Sequence, residues 1–379
     1  MSRGVLFGAG YQAINFALLL VQAIFLPRYL GLDLYGAGLL LILPILMLGG
    51  FWEPVVQRYC IAGDGIPQGW WLSGGFFIVS IYAFYLFFLL SSGDGGAIMY
   101  FLEFFFLLEY MLAIYFIAKF QAGKEYAKIF LLSMCGFVLC SAVFFIEQSS
   151  WSVCLFYAIY FLPVFTCGII SFKFNGKIIA PLGGAFSDVL DAISTRLFYV
   201  LINNFYVILV GFIYGPSKAA ILKIVISLSS AFRFCNPFSI GHFFSMVHDA
   251  SWSKKLKLST LPLVFFFVGV LLVWLLLPWL GGYGVVFLGD NYQSVNAFFS
   301  DILMGVPFYL WSPYLTTVFF RAIGWLYVFL ICCISLVFSS LFLYFDSISL
   351  FFVSSCLVYC LLILFWGCVV EIKCSRVGG

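Results

Sequence analysis

Uncharged apolar runs of about twenty residues recur along the whole chain, which is the length needed to cross a bilayer as a helix. Of the 379 residues, 65% are hydrophobic and only 9% are charged. A soluble domain carries roughly 25% charged residues, because its surface must face water. The composition therefore excludes the soluble classes and predicts an all-α polytopic membrane protein.

The apolar runs, bounded by charged residues, Gly or Pro, predict about 12 transmembrane helices. The predicted spans are residues 5–27, 37–57, 70–90, 97–118, 127–146, 151–172, 192–212, 217–238, 260–280, 295–318, 325–345 and 348–370. Two turns are very short, at 147–150 and at 346–347. Both are kept, because a merged helix of more than about 40 apolar residues would be too long for a bilayer.

Lys and Arg are distributed very unequally between alternate loops. Only Arg28, Lys218 and Lys223 belong to one set of loops and adjoining helix ends, and the other 15 of the 18 basic residues belong to the opposite set. The positive-inside rule then places both termini in the cytoplasm, with an even number of spans. The longest predicted external loop, Gly281–Ser294, is too short to form a domain.

The connection between the sixth and seventh spans falls near mid-chain. It predicts an N-terminal six-helix bundle at 1–172, a cytoplasmic linker at 173–191 and a C-terminal six-helix bundle at 192–379. A shift of 184 residues aligns Gly31 with Gly215, at the end of the first span of each half. A second cytoplasmic segment, Gly241–Ser259, is both basic and aromatic, and fits either an interfacial amphipathic helix or a solvated linker.

Neither the cysteines, the histidines nor short motifs indicate an enzyme. Most of the 12 cysteines lie inside apolar runs, where a free Cys acts as a small hydrophobic residue. His242 and His248 have no acidic or Cys partner at metal-ligand spacing. The chain contains no P-loop, dinucleotide or Ser-His-Asp pattern, and a net charge of +3 does not favour nucleic-acid binding. We therefore predict no enzymatic activity, cofactor, metal or nucleic-acid partner.

Ionisable residues inside spans are candidate functional residues, because burying each costs several kcal/mol. The acids are Glu53, Glu103, Glu109 and Asp301, which are candidates for ion coupling. Glu103 and Glu109 are turned about 120° apart on one helix and do not form a carboxylate pair. Lys223 is the deepest cation, about six residues or 9 Å inside span eight.

Amides and phenols share helix faces in two spans. Span one places Tyr11, Asn15 and Gln22 on one stripe, and span seven does the same with Tyr199 and Asn203. Such stripes face protein or water, because a lipid-facing amide has no partner. Hydrogen bonding between helices is the alternative explanation.

Three arginines lie nearer the ends of spans. They are Arg28, Arg58 and Arg233. Each is a candidate ligand for an anionic substrate, and interfacial anchoring is the alternative explanation.

Four segments together resemble a known transporter family. They are LPRYLGLDLYGAG at Leu26–Gly38, FWEPVVQRYCIAG at Phe51–Gly63, LINNFYVILVGFIYGPSKAAILKI at Leu201–Ile224 and FLGDNYQSVNAFFSDIL at Phe287–Leu303. They are similar to segments of polysaccharide flippases of the multidrug/oligosaccharidyl-lipid/polysaccharide (MOP) exporter superfamily. The chain departs from that pattern at Asn203 and Asn204, where an Asp is common in the family.

This resemblance implies a Wzx-type flippase for undecaprenyl-diphosphate-linked oligosaccharide, such as an O-antigen repeat unit, in the bacterial inner membrane. It also implies two six-helix bundles around a central cationic cavity, working by alternating access. Cations would bind the diphosphate, and amides and phenols would bind the sugar. The implied ligands of the diphosphate are Arg28, Lys223, Arg58 and Arg233. The implied ligands of the sugar are Asn15, Gln22, Asn203 and Tyr199. The expected partners are the lipid-linked oligosaccharide, membrane lipids and the polysaccharide polymerase machinery.

Three alternatives remain at the level of the sequence. An ion-coupled multidrug exporter of the same superfamily would share the fold but would favour acidic groups in its cavity. A polysaccharide polymerase would be expected to carry a large external loop, and the longest one predicted here is Gly281–Ser294. A purely structural membrane protein would not need a charge at the depth of Lys223.

Overall fold

A computed structural model describes most of the chain at the level of helices. The described residues are 3–62, 97–146, 148–171, 190, 192–194, 196–230, 232, 252–289, 292–345 and 347–377. Within them the chain forms helices joined by short turns and contains no strand.

The helices of the N-terminal half begin with a helix that contains a π-helical segment. They are α1 (Arg3–Leu20), the π-helix π1 (Val21–Phe25), α2 (Leu26–Leu30), α3 (Leu32–Ala62), α4 (Ala97–Ala122), α5 (Tyr126–Cys140), a 3₁₀ turn (Ser141–Phe145) and α6 (Trp151–Ile170). Gly31 separates α2 from α3 and has φ +79°, which a residue without Cβ adopts at no steric cost.

The C-terminal half repeats this beginning. Its helices are α7 (Leu197–Val200), the π-helix π2 (Leu201–Phe205), α8 (Tyr206–Tyr214), α9 (Pro216–Ser230), α10 (Trp252–Leu288), α11 (Tyr292–Ile302), a 3₁₀ turn (Leu303–Gly305), α12 (Val306–Ile323), α13 (Trp325–Tyr344) and α14 (Ile348–Val377). Gly215, with φ +90°, separates α8 from α9 as Gly31 separates α2 from α3. The sequence alignment of these two glycines therefore corresponds to a shared helix–glycine–helix turn.

Helices occupy every predicted span for which residues are described. The third predicted span, residues 70–90, lies outside the described residues. Of the helices in the described part, eight are long and apolar enough to cross a membrane. The all-α polytopic membrane fold is thus confirmed, and the number of 12 spans stays a prediction.

One predicted boundary is wrong, and the described part of the ambiguous segment Gly241–Ser259 is helical; residues 241–251 lie outside the described residues. The predicted external loop Gly281–Ser294 is helical as far as Leu288, because α10 continues through its first eight residues. The apolar residues around those glycines extend the helix despite the weak helix propensity of glycine. At the other end, α10 begins at Trp252, so the basic residues up to Ser259 are helical and continue directly into span nine.

The helices pack into two compact units. The first consists of Met1–Gln22, Tyr29–Ala192 and Gly211–Ala220, and the second of Ala23–Arg28, Ile193–Val210 and Ile221–Gly379. The predicted division into 1–172, 173–191 and 192–379 stays a prediction, because residues 172–189 lie outside the described part. The predicted cytoplasmic position of both termini likewise stays a prediction.

Nine cysteines have side chains that the structure describes; all nine are free, and five of them are buried. No group of three or more His, Cys, Asp or Glu residues in that part of the chain could hold a metal ion. The buried thiols pack as small apolar side chains between the helices.

Candidate functional site

Lys223 forms the centre of a polar cluster in the second unit. It projects from α9, is partly buried, and its Nζ donates a hydrogen bond to the main-chain carbonyl of Asn203 at 3.0 Å. No ion pair joins Lys223 to Asp301, although both residues are described. A Lys ammonium has three donors, so a neutral carbonyl leaves both its charge and two donors available.

Asn203 is held on the second unit by two tyrosines. Its Nδ2 donates to the carbonyl of Tyr199 at 2.8 Å and to the hydroxyl of Tyr309 at 2.7 Å. The Tyr309 hydroxyl is also 2.9 Å from the Asn203 Oδ1, to which it donates. The rings of Tyr199 and Tyr309 are stacked, with centroids 5.4 Å apart. The predicted residues Asn203, Tyr199 and Lys223 are therefore brought together, with Tyr309 added.

The Asn203 carbonyl that accepts the hydrogen bond of Lys223 lies in a π-helix. Asn203 belongs to π2 (Leu201–Phe205), where the main-chain hydrogen bonds shift from i+4 to i+5. A carbonyl oxygen has two lone pairs, and here one of them accepts from the Lys223 ammonium. Gln22 lies in the corresponding segment of the first half, π1 (Val21–Phe25), with its side chain partly buried.

A second polar cluster lies in the first unit. The hydroxyl of Tyr160, on α6, donates to the Oδ1 of Asn15, on α1, at 3.2 Å. Tyr11 also hydrogen-bonds to the Asn15 side chain, and Glu53 interacts electrostatically with the hydroxyls of Tyr11 and Tyr110. The structure thus brings the predicted residues Asn15 and Glu53 to the same tyrosine, Tyr11, beside Tyr160 and Tyr110, which the sequence did not single out.

Close helix packing positions Tyr160 in this cluster. Gly136, on α5, lies so close to the Tyr160 carbonyl that a Cβ at Gly136 would collide with it. A residue without Cβ permits this approach of the two backbones, as is typical of helix packing in membranes.

The two clusters share a pattern in their own chain segments. Tyr11 and Asn15 are four residues apart on α1, as are Tyr199 and Asn203 on α7 and π2. In each case the amide of the Asn meets a tyrosine hydroxyl from another helix of the same unit. An acid, Glu53, lies near the first pair, and a base, Lys223, near the second.

The other two predicted acids of the first unit are both buried on α4. Glu103 is 4% exposed and Glu109 is 2% exposed. Glu103 lies close enough to Cys154 for electrostatic interaction. In the described part of the chain the Oε1 of Glu109 has no hydrogen-bond partner, which marks it as a polar atom that another state or a cation could satisfy.

Two of the remaining predicted site residues are exposed near helix ends. Arg28 is exposed at the end of α2, and Asp301 is exposed near the end of α11. Arg28 and Asp301 therefore differ from the partly buried residues of the two clusters. Arg58 lies on the α3 backbone, with its side chain outside the described residues, and Arg233 lies outside them altogether.

A tight contact joins the two glycine turns within the first unit. Asp33, in the first turn of α3, accepts a hydrogen bond from the hydroxyl of Ser217, in the first turn of α9. Gly36 lies directly against the main chain of Pro216, where a Cβ would overlap the Pro216 carbonyl. Segment Gly211–Ala220 is thus docked on the start of α3, at the side of the membrane that the charge pattern predicts to be external.

Tyr309, Tyr160 and Tyr110 were not predicted as site residues. The signal that could have found them is chemical, since a tyrosine hydroxyl buried in an apolar span needs a hydrogen-bond partner. Tyr309 is 0% exposed and Tyr160 is 5% exposed. Their spacing along the chain gives no information about which amide they meet.

Comparisons with known proteins identify the fold. Neither a protein-family model nor a curated protein matches the sequence. Among solved structures, the chain is similar to the lipid II flippase MurJ in its inward closed conformation, with a TM-score of 0.67 and 12% identity over 95% of this chain and 87% of that chain. The chain shares its backbone fold with this flippase. An inward-facing multidrug resistance MATE transporter of that superfamily is also similar, with a TM-score of 0.57 and 12% identity over 100% of this chain and 96% of that one.

At 12% identity these similarities show a shared path of the backbone and do not show a shared substrate. The features of this chain that bear on its substrate are the polar clusters of Lys223 and of Glu53.

Proposed function

We propose that this chain is a flippase that moves an undecaprenyl-diphosphate-linked oligosaccharide, such as an O-antigen repeat unit, from the cytoplasmic to the periplasmic leaflet by alternating access. It acts in the bacterial inner membrane, with both termini in the cytoplasm, and passes its product to the polysaccharide polymerase machinery. The backbone likeness to a lipid II flippase supports a lipid-linked substrate.

The observation that carries this proposal is the ammonium of Lys223, held by a neutral carbonyl. A cation inside a membrane span costs several kcal/mol unless it gains a partner. Lys223 has the Asn203 carbonyl but no carboxylate among the described residues. A diphosphate passing through the protein would provide the missing counter-charge. Arg28, Arg58 and Arg233 are proposed as further cations along the same route, and Asn15, Gln22, Asn203 and Tyr199 as sugar ligands.

Deletion of the gene from its bacterium tests the substrate class. We expect surface polysaccharide to be lost and lipid-linked repeat units to accumulate on the cytoplasmic leaflet, because synthesis continues without translocation. The measurement is the amount of surface polysaccharide together with the amount of extractable lipid-linked oligosaccharide. The complemented strain provides the control. Normal surface polysaccharide in the deletion strain would contradict the proposal.

A multidrug exporter is the second candidate, and two observations favour it. The backbone is also similar to a MATE transporter, and the first unit contains a partly buried Glu53 beside phenols and a buried Glu109. Acidic groups of this kind suit a cationic drug or a coupling cation. In the same deletion strain, increased sensitivity to cationic drugs with unchanged surface polysaccharide would favour this function.

We further propose that acids inside the predicted spans couple transport to an ion gradient, with Glu53 and Glu109 as the main candidates and Glu103 and Asp301 as the others. Replacing the coupling acid by its amide removes the group that binds and releases the ion. We expect the Glu53→Gln or the Glu109→Gln variant to lose gradient-dependent transport and still bind substrate. Transport by the purified protein in vesicles, with and without an imposed pH gradient, is the measurement.

Glu125→Gln is the matched control, because Glu125 is exposed in the turn between α4 and α5 and pairs with Lys128 at 3.4 Å. Retention of wild-type gradient dependence by the amide variants of all four acids would refute coupling through them. Flux driven by downstream polymerisation would then replace an ion gradient as the driving force.

A further inference from the structure

Lys223 is held by a main-chain atom, so its position depends on the local shape of the π-helix. The acceptor of its hydrogen bond is the Asn203 carbonyl in π2. A carbonyl cannot be moved by a rotamer change of its own residue. Whatever fixes the backbone at Asn203 therefore also fixes the ammonium of Lys223.

Tyr309 is the side chain that fixes Asn203 from outside its own helix. Its hydroxyl contacts both ends of the Asn203 amide, at 2.7 Å to Nδ2 and 2.9 Å to Oδ1. The third contact of the amide, to the Tyr199 carbonyl at 2.8 Å, lies one turn back in the same helix. Only Tyr309 thus ties this amide to α12 in the described part of the second unit.

Tyr309 is itself immobilised by its surroundings. It is 0% exposed, stacks on Tyr199 and packs against the ring of Phe352 with centroids 5.9 Å apart. Lys223, Asn203 and Tyr199 are only partly buried, whereas Tyr309 lies beneath them. A ligand can reach the first three residues without touching Tyr309.

We propose that Tyr309 is a positioning residue of the anion site, which orients the Lys223 ammonium through the Asn203 amide and the π-helical carbonyl. This inference rests on the proposed function, in which Lys223 binds the diphosphate of a lipid-linked substrate. The hydroxyl of Tyr309 touches no substrate and acts through two residues that do. The π-helix is part of the site, because the Asn203 carbonyl that holds the Lys223 ammonium lies within it.

The test is a double-mutant cycle between Tyr309 and Lys223 in the full-length protein. Undecaprenyl diphosphate is the probe, and its dissociation constant for the protein in nanodiscs is the measurement. Tyr309→Phe removes one hydroxyl and leaves the stacked ring in place. We expect it to weaken binding about tenfold in the wild-type background, the effect of one hydrogen bond in a site of this kind.

In the Lys223→Met background, Tyr309→Phe should change binding less than twofold, because the ammonium that it positions is absent. Tyr359→Phe is the matched control in the same unit. Tyr359 is also 0% exposed, and its hydroxyl lies 2.7 Å from that of Thr316 rather than near Asn203. It should leave binding of the probe within twofold of wild type, even where it lowers the melting temperature.

The outcomes separate this inference from the proposed function. Tenfold weakening by Tyr309→Phe in both backgrounds would overturn the positioning role and leave Lys223 as a ligand. Unchanged binding in Tyr309→Phe together with weakened binding in Lys223→Met would also overturn the positioning role and leave Lys223 as a ligand. Unchanged binding in Lys223→Met would instead refute the anion site itself, and with it this inference. Should Tyr309→Phe fail to fold, Asn203→Leu takes its place in the same cycle. It should likewise weaken binding in the wild-type background and have little effect in the Lys223→Met background.

Discussion

Replacing Lys223 by Ala is expected to abolish surface polysaccharide while the protein still inserts into the membrane. The ammonium has only the neutral Asn203 carbonyl as a partner in the described part of the chain, so its charge is available to a diphosphate. Losing a hydrogen bond to a charged group costs about 1.5–3 kcal/mol, which corresponds to a loss of affinity of about tenfold to a hundredfold. Lipid-linked repeat units should accumulate in the cytoplasmic leaflet of cells that express the variant.

Two further variants make this result specific. Lys223→Arg should keep part of the activity, because the positive charge remains although its geometry changes. Lys218→Ala should keep nearly all of it, because Lys218 is an exposed cation in the first turn of the same helix. Normal surface polysaccharide in a well-expressed Lys223→Ala variant would show that this cation does not bind the substrate.

Replacing Gly36 by Ala is expected to undock segment Gly211–Ala220 from the start of α3 and to stop transport. A Cβ at Gly36 would overlap the main-chain carbonyl of Pro216, and backbone atoms cannot move aside as a flexible side chain can. The variant should be made in normal amounts, because the helices themselves are unchanged. Ala37→Ser is the matched control, a change of one atom at the neighbouring position.

Docking can be measured by cross-linking Asp33→Cys to Ser217→Cys, whose native side chains are hydrogen-bonded. A protease site inserted in segment 173–191 would separate the two halves unless the disulfide joins them. After cleavage, we expect the disulfide to hold the two halves together in the protein with the native Gly36 and in the Ala37→Ser control. In the Gly36→Ala variant we expect the two halves to separate. Equal cross-linking and transport in all three proteins would mean that the docked contact does not depend on Gly36.

The helical fold could be predicted from the sequence because a bilayer imposes a simple requirement. Every spanning segment must be apolar for about twenty residues and must satisfy its backbone internally. This reasoning found even the pairs of helices joined by very short turns, such as α13 and α14 around Ser347. It failed at Gly281–Ser294, where glycines were interpreted as a loop although the helix continues to Leu288.

The depth of a charge could also be predicted, whereas its partner could not. Lys223 was singled out because a cation deep in a span is costly unless it gains a partner. The structure provides the partner as a carbonyl in a π-helix. No residue pattern distinguishes a π-helical turn from an α-helical one, because the two differ only in which main-chain groups pair.

Tertiary contacts between distant tyrosines and amides were equally inaccessible from the sequence. Asn15 and Asn203 were predicted to need partners, and the stripes on which they lie were found from helical periodicity. Their partners, Tyr160 and Tyr309, are more than a hundred residues away along the chain. Which tyrosine meets which amide is decided by helix packing, as at Gly136, where two backbones approach closely.

The central claim is that this chain carries an undecaprenyl-diphosphate-linked oligosaccharide between leaflets, and its most direct test uses purified protein in liposomes. A fluorescent lipid-linked oligosaccharide placed in both leaflets is exposed to a membrane-impermeant quencher, which reaches only the outer leaflet. We predict that wild-type protein makes nearly all of the probe accessible with time, and that Lys223→Ala returns accessibility to the level of protein-free liposomes. Wild-type protein that leaves the inner-leaflet probe protected, while exporting a cationic drug from the same liposomes, would contradict the claim.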